Sequence, residues 1–213
     1  MSQLQKMLDF HPHQLQDGKW HGSVGGIVCA PLDTVWAVVS QTKRLPEWMP
    51  MVERCTGLAG DEDEPGYVRL VSGFMFPKSD GERSWIKERL VSLDSSSHSY
   101  VYRMEASNVG LGGSVNSLNL ADYGHGSTLV RWSFDMNLLK DANQDSIIDY
   151  LGFLYKSCIN RIEGAVEAES RNASASKLYV VSSLVNSMIK LVDSISFNWA
   201  ILLRPEDGKK IKQ

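Results

Sequence analysis

The stretch from 129 to 136 alternates without a break. Val130, Trp132, Phe134 and Met136 share one face, and Arg131, Ser133 and Asp135 share the other. That is the pattern of an antiparallel strand with one face buried. A helical pattern follows almost at once. Ile148, Leu151, Tyr155, Ile159, Ile162 and Val166 recur in steps of three and four, which predicts an amphipathic helix from about Gln144 to Glu169. A strand and a helix that are each apolar on one side must be buried against something, and each offers the other a surface.

The rest of the chain supplies more strands. The segment from 20 to 30 carries Val24, Ile27 and Val28 and reads as a first strand. Pro31 then opens a helix, with Asp33 in its first turn and Val35, Trp36, Val38 and Val39 on its apolar side. A second short helix is predicted over 44–50, stopped by Pro50. Four turn-forming clusters follow at short intervals, at 61–66, 77–81, 94–97 and 123–126, rich in Gly, Pro, Asp and Ser. Strand, two helices, antiparallel meander, then one long helix is the order of an α+β helix-grip fold: a curved antiparallel sheet wrapped around a long C-terminal helix. Such a wrap leaves an internal cavity, which is the default place to look for a site.

Three regions are expected along the chain: a flexible N-terminus at 1–18, the helix-grip domain at 19–170, and a linker with an amphipathic C-terminal helix at 171–213. Small residues at 174–176 suggest a break. Beyond them Leu178, Val181, Val185, Met188, Val192, Ile195, Trp199 and Leu202 again step by three and four, as a helix-pairing seam does. Lys190 and Asp193 argue against a membrane span. The segment 178–203 is expected to pack on the domain, on a partner chain as a dimer contact, or as a peripheral membrane contact.

A net charge of −3 lacks the basic stripe of a nucleic-acid binder. Cys29, Cys55 and Cys158 fit neither a metal-ligand spacing nor a disulfide framework. Free thiols and the lack of a secretory leader point to the cytoplasm. Asp141-Ala142-Asn143-Gln144-Asp145 begins like a calcium loop, but Ser146 and Gly152 stand where a Gly and a Glu are needed. It reads better as a helix start, capped by Asp141 or Asn143. Gly110-Leu111-Gly112-Gly113 has no Lys-Ser/Thr and leads into a strand, so a flexible pocket-rim loop is expected rather than a phosphate cradle. His98 and His125 fall in turns and are read as solvated. No cofactor or metal is implied.

Two charged residues fall on faces that are otherwise apolar. Arg69 alternates with Tyr67 and Val71, and Glu88 with Ile86 and Leu90. Desolvating such a pair costs several kcal/mol per ion unless geometry offsets it. They are candidate site residues for proton transfer on a bound molecule; a structural cross-strand salt bridge or a solvent-facing pair would look the same in sequence. Tyr67, Tyr100, Tyr102, Trp132 and Phe134 would line a pocket for an apolar ligand or fill a core.

The runs Pro65-Gly66-Tyr67-Val68-Arg69-Leu70-Val71-Ser72-Gly73 and Trp85-Ile86-Lys87-Glu88-Arg89-Leu90-Val91-Ser92-Leu93-Asp94 carry a resemblance, with Lys19-Trp20-His21-Gly22 and Trp132-Ser133-Phe134 adding to it. Over roughly 19–168 the chain resembles the plant lachrymatory-factor synthases of the START-like, polyketide-cyclase/dehydrase superfamily. The terminal helix lies outside the match. The resemblance implies a cofactor-independent, isomerase- or lyase-like enzyme acting on a small sulfenic-acid-type substrate. It places the catalytic arginine at Arg69, the catalytic glutamate at Glu88 and a pocket tyrosine at Tyr102. Arg69 would hold a substrate oxygen and stabilise developing negative charge, and Glu88 would take a proton and return it elsewhere. A second family tyrosine falls near Ser114, a departure that puts the exact substrate in doubt. The alternative is a non-catalytic carrier of a small hydrophobic ligand. The related abscisic-acid receptors carry Ser-Gly-Leu-Pro-Ala in their gate, where this chain has Ser72-Gly73-Phe74-Met75-Phe76-Pro77. Nothing like their His-Arg-Leu latch occupies 107–117.

Overall fold

Residues 11–12, 19–137 and 143–202 are described by the computed structural model. The elements in chain order are β1 (His11–Pro12), β2 (Lys19–Val28), α1 (Leu32–Val39), α2 (Leu45–Trp48), β3 (Val52–Ala59), β4 (Val68–Gly73), β5 (Ser84–Asp94), β6 (Ser99–Ser107), β7 (Val115–Gly124), β8 (Ser127–Asn137) and α3 (Gln144–Leu202). A 3₁₀ turn, Thr42–Arg44, leads into α2, so the second short helix is split in two.

All strands join one antiparallel sheet in the order β1-β2-β8-β7-β6-β5-β4-β3. The protein therefore has the helix-grip fold of START-like proteins. Chain-sequential hairpins link β3 to β8, and β2 then closes against β8 over the whole span from Lys19 opposite Asn137 to Val28 opposite Thr128. The short β1 pairs with Gly22 and Ser23. It gives the N-terminus one attachment, and the rest of 1–18 lies outside the described residues.

The alternating strand and the helical stripe meet in the core. Val130, Trp132, Phe134 and Met136 are buried, as are Ile148, Leu151, Tyr155, Ile159, Ile162 and Val166 of α3. The rings of Trp132 and Tyr155 stack at 4.5 Å and 10°, an offset contact that adds about 0.5–1.5 kcal/mol beyond burial. Close approach of α3 to the sheet needs a missing side chain at Gly26, where a Cβ would fall 2.6 Å from Ile159 Cγ2. Asn143 caps α3, its Oδ1 accepting the Ser146 N–H at 3.0 Å, a contact that stabilises a helix start by about 1 kcal/mol. Asp141, the other candidate cap, lies outside the described residues. His98 is not simply solvated: its Nε2 lies 3.2 Å from Asp33 Oδ1 and its ring stands edge-on to Trp36 at 5.5 Å.

The chain divides into two units, Met1–Ala168 and Glu169–Gln213. The break expected at 174–176 is absent, because α3 is helical through it. Serine hydroxyls satisfy themselves within the helix: Ser174 Oγ donates to Ser170 O at 2.8 Å and Ser182 Oγ to Leu178 O at 2.8 Å. Such back-bonding is compatible with a helix interior, and alanine between the serines favours it. In the second unit Leu178, Tyr179, Val181, Leu184, Val185 and Met188 are all exposed. Among the described residues no helix is long and apolar enough to cross a membrane.

Candidate active site

The site grows from strand register. Arg69 on β4 stands directly opposite Glu88 on β5, and Glu88 opposite Met104 on β6. All three side chains therefore leave the same face of the sheet, toward α3. Arg69 is 5% exposed and Glu88 6%. Arg69 Nε donates to Glu88 Oε2 at 2.8 Å, the short distance of a charge-assisted bond. The guanidinium carbon lies 3.6 Å from the centre of the Tyr102 ring, a cation–π contact strengthened by desolvation. Tyr102 Oη lies 3.4 Å from the buried Thr42 Oγ1. One face and one edge of the guanidinium are thus fixed. Among the described residues its two terminal nitrogens and Glu88 Oε1 make no further hydrogen bond.

Electrostatics follow from burial. Burial alone would lower the pKa of Arg69, but Glu88 beside it outweighs that and holds the group above its ordinary value. Burial raises the phenols of Tyr100, Tyr102 and Tyr155, with Arg69 opposing the rise at the first two. All three phenols therefore stay protonated as donors near neutral pH.

These groups border a cavity of about 40 Å³. That is far below the roughly 300–1,000 Å³ typical of a pocket for a drug-sized ligand. Of the seven site residues expected from sequence, Arg69, Glu88, Tyr100, Tyr102 and Trp132 line it. Tyr67 and Phe134 are buried on the expected face but do not line it. The Tyr67 ring lies over Gly57, where a Cβ would meet its hydroxyl at 2.6 Å, and the Phe134 ring lies over Gly22, where a Cβ would meet Cζ at 2.5 Å. Each fills the space left by a glycine on the neighbouring strand.

The sequence reading missed Asn116, which lines the cavity, and assigned Tyr155 to the core alone, although it lines the cavity too. The signal for Asn116 was present: it alternates with Leu118 and Leu120, which are both buried. Leu45 and Met49 from α2 and its end, and Met75 and Phe76 from the β4–β5 connection, complete one end. That connection is fastened to α3, since Tyr150 Oη donates to Met75 O. Ser114 is buried, with its hydroxyl unpartnered among the described residues, and it does not line the cavity.

Cys55, on the edge strand β3, feels the same charges. Burial pushes its thiol up to about 11, with Arg69 opposing and Glu88 adding, and burial pushes Cys158 up to about 12. Cys29 is exposed. In native protein at pH 8, N-ethylmaleimide should label Cys29 first and leave Cys158 unmodified until denaturant is added, because the thiolate is the reactive form. Equal labelling of all three sites, read by peptide mass spectrometry, would contradict this burial pattern.

A helix-grip sheet closed on an internal cavity is the architecture of START-like proteins, and here a buried ion pair stands on the cavity wall. The chain belongs to the family described as polyketide cyclase/dehydrase and lipid transport, whose model matches residues 26–167. Solved structures share the fold at low identity. The Zhui aromatase/cyclase from a Streptomyces species is 18% identical with a TM-score of 0.59, covering 73% of this chain and 98% of its own. A START superfamily protein from Mycobacterium smegmatis is 16% identical with a TM-score of 0.59, covering 70% and 97%. The protein XoxI from Bacillus cereus is 17% identical with a TM-score of 0.57, covering 68% and 94%.

Proposed function

We propose that this protein is a cofactor-independent enzyme that moves a proton within a small bound substrate, in the manner of a lachrymatory-factor synthase. The observation that carries the reading is the Arg69–Glu88 pair, buried on the wall of a cavity too small for a drug-sized ligand. A buried pair often stabilises a fold no more than well-packed apolar residues of the same volume would, so its presence in the cavity wall favours a chemical role. For a 1-alkenyl sulfenic acid, Glu88 removes the S–O–H proton and returns it to the alkene carbon not bonded to sulfur. The product is an isomer, and no electrons are gained or lost. Arg69 faces the oxygen on which negative charge develops.

A second reading, a carrier, is favoured by the mainly apolar and aromatic lining and by the lipid-transport part of the family description. The pocket tyrosines and Trp132 would then hold a ligand without chemistry. The free thiols support a reducing compartment, the cytoplasm. The exposed apolar residues of α3 between Leu178 and Met188 support a contact surface there, for a second chain or a membrane.

The test couples the protein to a C–S lyase that generates 1-propenyl sulfenic acid, with the thial S-oxide product read by gas chromatography. Wild type should form product. Arg69→Leu and Glu88→Gln, each checked for folding, should lose at least 100-fold, the low end of what a positioned acid/base contributes. No product from folded wild type would reject the sulfenic-acid substrate and leave the carrier reading in front.

A further inference from the structure

Among the described residues Asn116 is the only side-chain amide on the cavity wall, which it shares with the ion pair. It lies on β7 between Tyr102 on β6 and Phe134 on β8 in register. Its strand is two removed from that of Glu88, about 10 Å by strand spacing. Its orientation is imposed from α3: Tyr155 Oη donates to Asn116 Oδ1 at 3.1 Å. Tyr155 cannot easily turn away, being stacked on Trp132 at 4.5 Å and tilted against Phe134 at 5.8 Å. With the amide oxygen occupied, the –NH₂ group is left as a donor, and among the described residues it has no partner.

We propose that Asn116 is a substrate-binding residue and Tyr155 its positioning residue, and that the cavity takes small oxyacids held by Arg69 and by the Asn116 amide donor. This deepens the proton-transfer reading and rests on it for Arg69 and Glu88. The polar groups define the ligand chemistry. Arg69 supplies a full positive charge for an acidic oxygen, Asn116 supplies neutral N–H donors for an oxygen lone pair, and Met75, Met104 and Trp132 supply apolar surface for the remainder. A ligand with a short hydrocarbon chain and a sulfur or carbon oxyacid head meets all three. A hydrocarbon alone would leave the donors of the half-buried Asn116 without a ligand partner.

The probe is propane-1-sulfinate, a stable oxyacid of the right length, titrated by calorimetry into full-length protein. Wild type should bind. Asn116→Leu should weaken binding about tenfold, the loss expected for one hydrogen bond to a charged group. Asn116→Asp should weaken it further, because a carboxylate repels the anion. Tyr155→Phe keeps the stacking ring but frees the amide to rotate, and should weaken binding about threefold. Should Asn116→Leu fail to fold, the other two variants carry the test. Loss with Arg69→Leu but wild-type affinity in all three Asn116 and Tyr155 variants would overturn the Asn116 role and leave the proton-transfer reading standing. Loss with the Asn116 variants but not with Arg69→Leu would keep Asn116 and remove Arg69 from oxygen binding. A wild type that does not bind the sulfinate would overturn the oxyacid assignment.

Discussion

Arg69→Leu should unfold about 3–5 kcal/mol more easily than wild type, the penalty for leaving one member of a buried ion pair without the other. The second substitution should reverse most of the first. Replacing both residues, as Arg69→Leu with Glu88→Leu, removes the stranded carboxylate and fills the same space with apolar atoms, an exchange that is often neutral or stabilising. Urea unfolding of wild type, both single variants and the double variant gives the coupling energy directly. Additive single effects would show that the 2.8 Å contact is not an energetic unit. A double variant as stable as wild type but unable to bind or convert ligand would separate the pair's chemical role from its structural one. Tyr102 makes the asymmetry larger on the arginine side, since Arg69→Leu also loses the cation–π contact at 3.6 Å.

Gly73→Ala should be the most damaging single-carbon addition near the cavity. Gly73 ends β4, and a Cβ there would press on the backbone of Met51 O and lie 2.8 Å from Glu53 N. Neither atom can rotate aside as a side chain can. Met51 O already accepts the Phe74 N–H at 2.8 Å, so the clash falls on the joint that places Met75 and Phe76 at the cavity. Overpacking of this kind costs about 1–3 kcal/mol, and the upper end is expected because both neighbours are main chain. Gly81→Ala is the control. Its φ is +71°, but a Cβ there meets nothing within 4 Å, so only the left-handed backbone penalty of about 1–2 kcal/mol applies. Thermal unfolding should rank Gly73→Ala below Gly81→Ala, and only the former should also disturb ligand binding. The reverse order would mean that the β3–β4 joint yields more readily than its backbone contacts imply.

The parts of the fold that were legible are those where one period runs long enough to choose a face. The 129–136 strand and the α3 stripe met in the core because alternation and 3.6-residue spacing each fix a direction independently of the rest. The facing of Arg69 and Glu88 was legible in the same way, although their direct opposition depends on the β4–β5 register. Period does not say where along a buried face the sheet curves away from the helix. Tyr67 and Phe134 share the face of the cavity residues yet lie over Gly57 and Gly22, because a glycine on the next strand offers a nearer place for a ring. Asn116 was passed over for the opposite reason: one polar residue among leucines reads as a strand edge until its partner on α3 is known. The small residues at 174–176 misled because they lack the Gly or Pro that stops a helix, and serine can bond its own preceding turn.

The clasp between Tyr150 and Met75 has a consequence for timing. Tyr150 holds Met75 from α3, so under the proposed function a ligand that passes the wall formed by Met75 and Phe76 must first part that contact. Entry is then paced by how often that wall opens and not by how often ligand collides with it. Observed association rates in such a molecule level off as ligand is added, at a ceiling set by opening. The same wall slows escape. Under the proposed function, that delay keeps a small, reactive molecule beside Glu88 long enough for a proton to be moved.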